Sequence, residues 1–153
     1  MSDSDRYEVR DGPPTVDEFR RLRAAADMAE RPRAGVERGL PNSLYACRVV
    51  DTGAPADDRA PVESRDPDGA VVGMARVVGD GGAVYHVCDM AVEPAHQRRG
   101  LGTRLLDAVD AWIDADAPAG AYVNLLADVD GFYERAGYEE TAPVSKGMYR
   151  RVE

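Results

Sequence analysis

The first part of the chain has a hydrophobic pattern typical of an amphipathic helix. Four apolar residues recur at steps of three and four and so share one helix face: Val16, Phe19, Leu22 and Ala26. Just before this stripe, Thr15 and Glu18 have the spacing of a capping box, in which each side chain bonds the other residue's backbone amide. We therefore expect a helix that starts after Thr15 and ends at the break at residues 30–33. A short second helix is predicted to end near Gly39.

Three runs of apolar, mostly β-branched residues follow, and each has the length of a strand. They cover residues 43–50, 70–78 and 83–92, and the glycine-rich residues 79–82 between the last two indicate a tight hairpin turn. The pattern predicts an antiparallel meander. Residues 51–69 contain three prolines and several aspartates but almost no large apolar residue, so we expect a mobile acidic loop there.

The last third of the chain changes between helical and strand-like patterns. Apolar residues keep helical spacing from Leu101 to Ile113, which predicts a helix over residues 101–114 that packs on the sheet. Residues 121–126 are predicted to form a buried strand and residues 148–152 a final strand. Between them, residues 129–136 are expected to form a short helix capped by Gly137.

Length and composition set the broad class of the protein. A chain of 153 residues with 44% hydrophobic residues is the size of one globular domain, so we expect residues 1–153 to form a single domain. No apolar run is long enough to cross a bilayer, and the polar, acidic first residues lack the features of a secretory signal. These observations predict a cytoplasmic protein without a membrane partner.

The charge of the chain argues against one class of ligand. A net charge of −9 would repel the phosphates of nucleic acid, so we expect no nucleic-acid partner. Lys146 is the only lysine, and aspartate outnumbers glutamate, a bias that resembles halophilic proteins. Cys47 and Cys88 lie in strand-like runs, which favours two buried free thiols over a disulfide or a metal pair. We expect no metal site.

One segment carries a pattern that binds anions. Residues 97–102, Gln-Arg-Arg-Gly-Leu-Gly, follow a predicted strand and open a predicted helix. The unpaired amides of a first helical turn attract phosphate, and glycines let a bulky pyrophosphate approach the backbone. The two glycines would fit a plain strand-to-helix turn equally well, so their spacing alone leaves both interpretations open.

Longer motifs extend this pattern. Residues 90–103, MAVEPAHQRRGLGT, closely resemble the signature of the GCN5-related N-acetyltransferase (GNAT) superfamily, and residues 131–138, GFYERAGY, resemble its second motif. The resemblance implies an α+β, three-layer fold: a mixed, mostly antiparallel sheet of about six to seven strands flanked by about four helices. It also implies an N-acetyltransferase that uses acetyl-CoA.

The resemblance assigns roles to residues at the matching positions. Three strand residues would offer backbone groups to the pantetheine arm and the thioester carbonyl: Met90, Ala91 and Val92. Six residues would hold the pyrophosphate: Arg98, Arg99, Gly100, Leu101, Gly102 and Thr103. Tyr133 would act as the general acid that protonates the departing thiolate of coenzyme A.

The residue that removes a proton from the acceptor amine is not fixed by the motifs. We expect Asp89 to be this general base because it directly precedes Met90, although a carboxylate that only bonds the backbone is equally compatible with its position. The other candidates lie on or near the fourth and fifth strands: His86, Glu93, His96, Asn124 and Asp128. By the architecture of the superfamily, the acceptor would meet Met28, Arg31, Arg33, Tyr45, Ser145 and Tyr149.

Several questions stay open at the level of sequence. The acceptor is a small-molecule or peptide amine of unknown identity, and the chain could function alone or as a homodimer. A non-catalytic module that binds or senses acyl-CoA is the main alternative, since this fold can retain the cofactor site without turnover. The presence of Tyr133 favours the enzyme.

Overall fold

A single five-stranded sheet forms the centre of the described structure. In this computed structural model residues 2–53 and 68–153 are described. The strands are β1 (Tyr7–Asp11), β2 (Tyr45–Asp51), β3 (Ala70–Gly79), β4 (Val84–Val92) and β5 (Tyr122–Asn124). They lie side by side in chain order; β1 to β4 are antiparallel, and β5 is parallel to β4. The predicted meander of β2, β3 and β4 is confirmed.

Helices cover both faces of this sheet. They are α1 (Asp3–Arg6), a single turn, α2 (Val16–Ala25), α3 (Arg33–Gly39) and α4 (Leu101–Asp116), with 3-10 turns at Leu40–Asn42, Pro94–His96 and Glu134–Ala136. The capping box that the sequence predicts for α2 is present, since the Thr15 hydroxyl accepts from the Glu18 amide at 3.1 Å while the Glu18 carboxylate accepts from the Thr15 amide at 2.8 Å. The expected second helix corresponds to α3.

Two hydrophobic cores hold the layers together. On one face, Leu105 and Val109 of α4 pack with Val49 and Val87 of the sheet. On the other face, Phe19 and Leu22 of α2 and Val36 of α3 pack with four buried strand residues: Val50, Val71, Met74 and Ala91. The sheet is therefore buried on both sides. This explains why the sequences of its central strands are nearly continuous runs of apolar residues.

A β-bulge interrupts β4 next to the candidate site. Two residues of β4, Asp89 and Met90, lie opposite the single residue Ala75 of β3, and Asp89 has a left-handed backbone with φ of 55°. Because of the extra residue, Val87 and Met90 both pack on the α4 side. The bulge thus reverses the alternation of side chains along the strand.

Pairing between β4 and β5 is short. It extends from Val84 and Tyr122 only as far as His86 and Asn124. Beyond this point the β5 side of β4 has no strand partner within the described residues. A parallel pair that separates after three residues leaves the backbone edge at residues 87–92 available for hydrogen bonds.

The strand count differs from the prediction of six to seven. Residues 148–152 form no strand, and the physical reason is that their apolar side chains have no face to bury: Met148, Tyr149 and Val152 are 83%, 82% and 86% exposed. Strand β1, which the sequence pattern did not indicate, is a short, charged edge strand. The helix predicted over residues 129–136 is reduced to the 3-10 turn Glu134–Ala136, with Gly137 in the expected left-handed cap conformation.

Three further expectations can be compared with the described residues. The mobile loop predicted at residues 51–69 falls largely on residues 54–67, which lie outside them. Cys47 and Cys88 are both free thiols, and only Cys47 is fully buried. In the described ranges, no helix is long and apolar enough to cross a membrane, and His, Cys, Asp and Glu form no group suited to a metal ion.

Candidate active site

The N-terminus of α4 has the backbone geometry of an anion site. Its N-cap residue, Gly100, is left-handed with φ of 77°, and no side chain caps the helix. Arg98 is also left-handed, with φ of 64°. Because the first helical turn lacks internal acceptors, its amides point outward with a partial positive charge. Arg98, Gly100 and Thr103 are exposed at this turn, whereas Leu101 is buried in the core and contributes only its backbone.

The two glycines of this turn have different surroundings. No atom lies within 4 Å of the position that a methyl group would take at Gly100, so the space above it is open. A methyl group at Gly102 would lie 3.4 Å from the Phe132 ring. Gly100 therefore leaves room for a ligand, and Gly102 allows the two sequence motifs to pack together.

The β4 strand ends beside this helix turn. The Gln97 side chain donates a hydrogen bond to the Val92 carbonyl at 2.9 Å and so ties the end of the strand to the turn. The Arg99 guanidinium lies 5.9 Å from the centre of the Tyr7 ring. The free edge of β4, including Met90 and Ala91, thus continues directly into the exposed amides of α4.

Tyr133 closes the site from the second motif. Its hydroxyl lies 3.8 Å from the Met90 sulfur, and its ring contacts Phe132 and Tyr138 edge to face. The side chain is half-buried. Burial and, to a lesser extent, the nearby charge of Asp128 raise the pKa of Tyr133 above its ordinary value, at which the hydroxyl is already protonated at neutral pH.

Asp89 is held by two arginines. Arg23 donates to one of its carboxylate oxygens at 2.6 Å, and Arg76 donates to the other at 2.5 Å. Arg23 and Asp89 are both buried. Both oxygens of the Asp89 carboxylate are therefore occupied by charge-assisted hydrogen bonds to guanidinium groups. This arrangement also fits a positioning role at the bulge, and the general-base role expected of Asp89 stays a prediction.

The sequence alone does not indicate that Arg23 and Arg76 lie near the candidate site. A signal was present, because Arg23 lies four residues after Phe19 and next to Leu22, on the side of α2 that faces the sheet. A charged residue at such a position needs a buried partner. The partner could not be identified without the register of the strands.

The other base candidates are distributed around the sheet. His86 Nδ1 lies 2.8 Å from Asn124 Oδ1, where β4 and β5 separate. Glu93 pairs with Arg21 at 3.3 Å, and His96 Nδ1 lies 2.8 Å from the Tyr7 hydroxyl on the β1 side. Of these residues, only His86 and Asn124 lie at the separation of the strands.

Cys88, a neighbour of Asp89, is the one described thiol close to this region. Burial, followed by the charge of Asp89, raises the pKa of Cys88 to about 12. A thiol with such a pKa is almost wholly protonated at neutral pH and is a poor nucleophile. The raised pKa of Cys88 therefore does not favour a mechanism in which this thiol carries the acyl group.

A cavity of about 790 Å³ lies on the outer side of Tyr133. Asn124, Tyr133 and Tyr138 line it together with Asp110 and Lys146, but β4 and the α4 N-terminus do not. It adjoins the candidate site only through Asn124 and Tyr133.

Comparison with known proteins identifies the family of the chain. A family profile described as an acetyltransferase (GNAT) domain matches residues 62–140, about half of the chain. A probable acetyltransferase from meticillin-resistant Staphylococcus aureus is 30% identical over 95% of this chain and 99% of its own, with a TM-score of 0.81. The chain belongs to the GNAT acetyltransferase family. The resemblance seen in the two sequence motifs is thereby confirmed.

More distant GNAT structures share the fold. A putative GNAT acetyltransferase from Xanthomonas campestris is 26% identical, covers 95% of this chain and 94% of its own, and has a TM-score of 0.67. A GNAT acetyltransferase from Brucella melitensis, solved in complex with acetyl-CoA, is 23% identical over 88% of this chain and 83% of its own, with a TM-score of 0.57. A search of curated protein sequences found no significant match.

Proposed function

We propose that this GNAT protein is an N-acetyltransferase that moves the acetyl group of acetyl-CoA to a primary amine by direct attack. The observation that carries the proposal is the proximity of three features. The open edge of β4 is tied by Gln97 to the uncapped N-terminus of α4, and the Tyr133 hydroxyl lies 3.8 Å from the Met90 sulfur of the same strand.

The residues present fit acetyl-CoA. The exposed amides of residues 98–103 and the open space at Gly100 suit a pyrophosphate, and Arg98 and Arg99 add positive charge. The β4 edge at Met90, Ala91 and Val92 suits the amide groups of a pantetheine arm, which would bind as an added strand does. When bound, acetyl-CoA supplies the thioester whose acyl group passes to the amine nitrogen as the thiol of coenzyme A departs.

Two side chains of the protein account for the protons. With Asn124 Oδ1 as acceptor, His86 Nδ1 carries a hydrogen, and His86 Nε2 is left as a proton acceptor for the amine. Tyr133, whose hydroxyl is protonated at neutral pH, donates to the departing sulfur. His86 lies in the last pair of β4 with β5, and Tyr133, just before the 3-10 turn Glu134–Ala136, contacts Met90 four residues further along β4. The base and the acid therefore reach the separated strands at different points.

A Tyr133→Phe variant tests the acid role, and Tyr138→Phe is the matched control. Tyr138 is a neighbouring half-buried tyrosine, but its hydroxyl bonds Asp110 at 2.7 Å instead of facing Met90. Tyr133→Phe is expected to lower kcat about a hundredfold, the lower end of general acid catalysis, because a thiolate leaves readily. Its affinity for acetyl-CoA in calorimetry should remain unchanged.

The outcome separates an enzyme from an acyl-CoA-binding module. If Tyr133→Phe and Tyr138→Phe release thiol equally fast under conditions in which chemistry limits the rate, Tyr133 is not the acid. If the wild-type protein binds acetyl-CoA but acetylates no amine, the binding module is correct.

A further inference from the structure

An arginine cluster surrounds the bulge on the α2 side of the sheet. The Asp89 carboxylate pairs with both Arg23 and Arg76, and two positive charges against one negative charge leave a net positive charge. The surrounding chain has a net charge of −9. The charge next to the separated strands is therefore positive, whereas the net charge of the whole chain is negative.

Arg31 adds to this cluster. Arg20 Nε donates to the Arg31 carbonyl at 3.2 Å, and Arg23 donates to the Ala29 carbonyl at 3.0 and 2.8 Å, so the segment before α3 is fixed in place. The half-buried Arg31 guanidinium lies within electrostatic reach of Arg23 and Asp89. Burial lowers the pKa of Arg31, and the charges of Arg23 and Arg151 lower it further.

The neighbouring arginines differ from Arg31 in having carboxylate partners. Arg20 pairs with Glu30, Arg21 with Glu93, and Arg33 with Asp17. Within residues 2–53 and 68–153, the Arg31 guanidinium forms no hydrogen bond or ion pair. The five donors of the Arg31 guanidinium are therefore available to an anion, and a carboxylate or phosphate would be bound by charge-assisted hydrogen bonds.

The position of the cluster relates it to the acceptor side of the proposed reaction. Asp89 directly precedes Met90, and Cys88 also lies within electrostatic reach of Arg31. At the bulge, the Met90 side chain packs on the α4 side of the sheet, whereas the Asp89 side chain bonds Arg23 of α2 on the opposite side. Arg23 is buried there, whereas Arg31 and Arg76 are partly exposed, so an acceptor bound on the α2 side of the bulge would lie near these two side chains.

We infer that the acceptor carries an anionic group, a carboxylate or a phosphate, in addition to its amine, and that Arg31 binds that group. The inference rests on the proposed acetyltransferase function and narrows its substrate class. Arg31 is a specificity-determining residue in this account, with Arg23 and Arg76 held on Asp89.

The test compares acceptors that differ only in the anion. The pairs are L-phenylalanine with 2-phenylethylamine, 5-aminovalerate with pentylamine, and O-phosphoethanolamine with ethanolamine, so that both carboxylate and phosphate are sampled at several distances. Thiol release from acetyl-CoA gives kcat/KM for each member. In at least one pair we expect the anionic member to be preferred by about ten- to hundredfold, the range of a hydrogen bond to a charged group.

Variants assign that preference to Arg31. Arg31→Gln should remove it by raising KM for the anionic acceptor, Arg31→Lys should restore part of it, and Arg38→Gln, a change at an exposed arginine of α3, should leave it intact. Neutral amines preferred in every pair, or a preference that survives in Arg31→Gln, would overturn the inference without affecting the proposed function.

A binding measurement covers the case in which no panel member is acetylated. Calorimetry with malonate and with inorganic phosphate, on protein saturated with coenzyme A, should then show binding that Arg31→Gln loses. Absence of such binding overturns the inference. Because this measurement does not depend on turnover, it separates failure of the inference from failure of the proposed function, which shows as no binding of acetyl-CoA or as no acetylation of any amine.

Discussion

At the scale of single residues, a buried ion cluster surrounds Asp89 at the bulge of β4. Asp89 adopts a left-handed backbone, which a non-glycine residue rarely does, and two arginines bind its side chain. The charge pairing thus stabilises a backbone conformation that would otherwise be unfavourable. The sequence shows an aspartate before Met90, but only the bulge shows which way its carboxylate points.

Replacement of Asp89 by asparagine tests this positioning role. Asp89→Asn leaves the buried Arg23 without its counter-ion, so we expect a loss of about 3–5 kcal/mol in the free energy of unfolding. Asp17→Asn, which removes one partner of an exposed pair with Arg33, should cost less than about 1 kcal/mol. Denaturant titrations measure both. Wild-type stability combined with a large loss of kcat would instead support Asp89 as the general base.

At the scale of elements, the start of α4 and its glycines are the most direct link from sequence to site. The motif at residues 97–102 indicates an anion-binding helix turn, and the structure has an uncapped helix with open space at Gly100. The packing of Gly102 on Phe132 was not predictable, because it depends on how the two motifs fold together.

The proposed role of this turn can be tested with two matched substitutions. Gly100 and Gly120 are both left-handed, and neither has an atom within 4 Å of a methyl position. Valine at either site should therefore cost about 1–2 kcal/mol of stability. Only Gly100→Val should weaken acetyl-CoA binding in calorimetry, because its side chain fills the space of the pyrophosphate. Equal affinities in the two variants would exclude this turn as the cofactor site.

The edge of the sheet gives a prediction about pH. Arg6 donates two hydrogen bonds, of 2.8 and 2.9 Å, to the fully buried Asp51 carboxylate and so ties the start of β1 to the end of β2. These bonds, more than any other effect, lower the pKa of Asp51. The resulting stability is fully present above the ordinary carboxyl pKa of about 4, and it is lost as the pH falls through the lower value in the folded protein.

Asp51→Asn should remove this contribution. We expect it to be less stable than the wild type by about 2–3 kcal/mol at pH 7, the value of hydrogen bonds to a charged group, with the difference shrinking below about pH 4. Asp107→Asn, at an exposed residue of α4, is the control and should show no such trend. A difference that stays constant from pH 7 to pH 3 would show that the charge of Asp51 does not carry the effect.

Prediction from sequence succeeded where the signal is local. The capping box fixed the start of α2, and the glycine-rich turn together with β-branched runs fixed the hairpin of β3 and β4. It failed where long-range packing decides. Residues 148–152 have a strand-like composition but remain exposed, and the charged edge strand β1 forms because its backbone pairs with β2.

At the scale of the whole molecule, charge and fold give opposite expectations for the acceptor. The net charge of −9 would attract a cationic amine, whereas the arginines at the bulge favour an anionic group close to the site. A zwitterionic acceptor satisfies both. The acidic surface would act on the encounter at long range, and the arginines would act on the bound molecule at short range.

We propose that this GNAT chain acetylates amines at the separation of β4 and β5. Thiol release from acetyl-CoA tests this activity most directly. Purified protein should release thiol at a rate that depends on both acetyl-CoA and an added amine, and mass spectrometry should show the amine heavier by one acetyl group. Thiol release that no amine accelerates, by a protein that binds acetyl-CoA, would contradict the account.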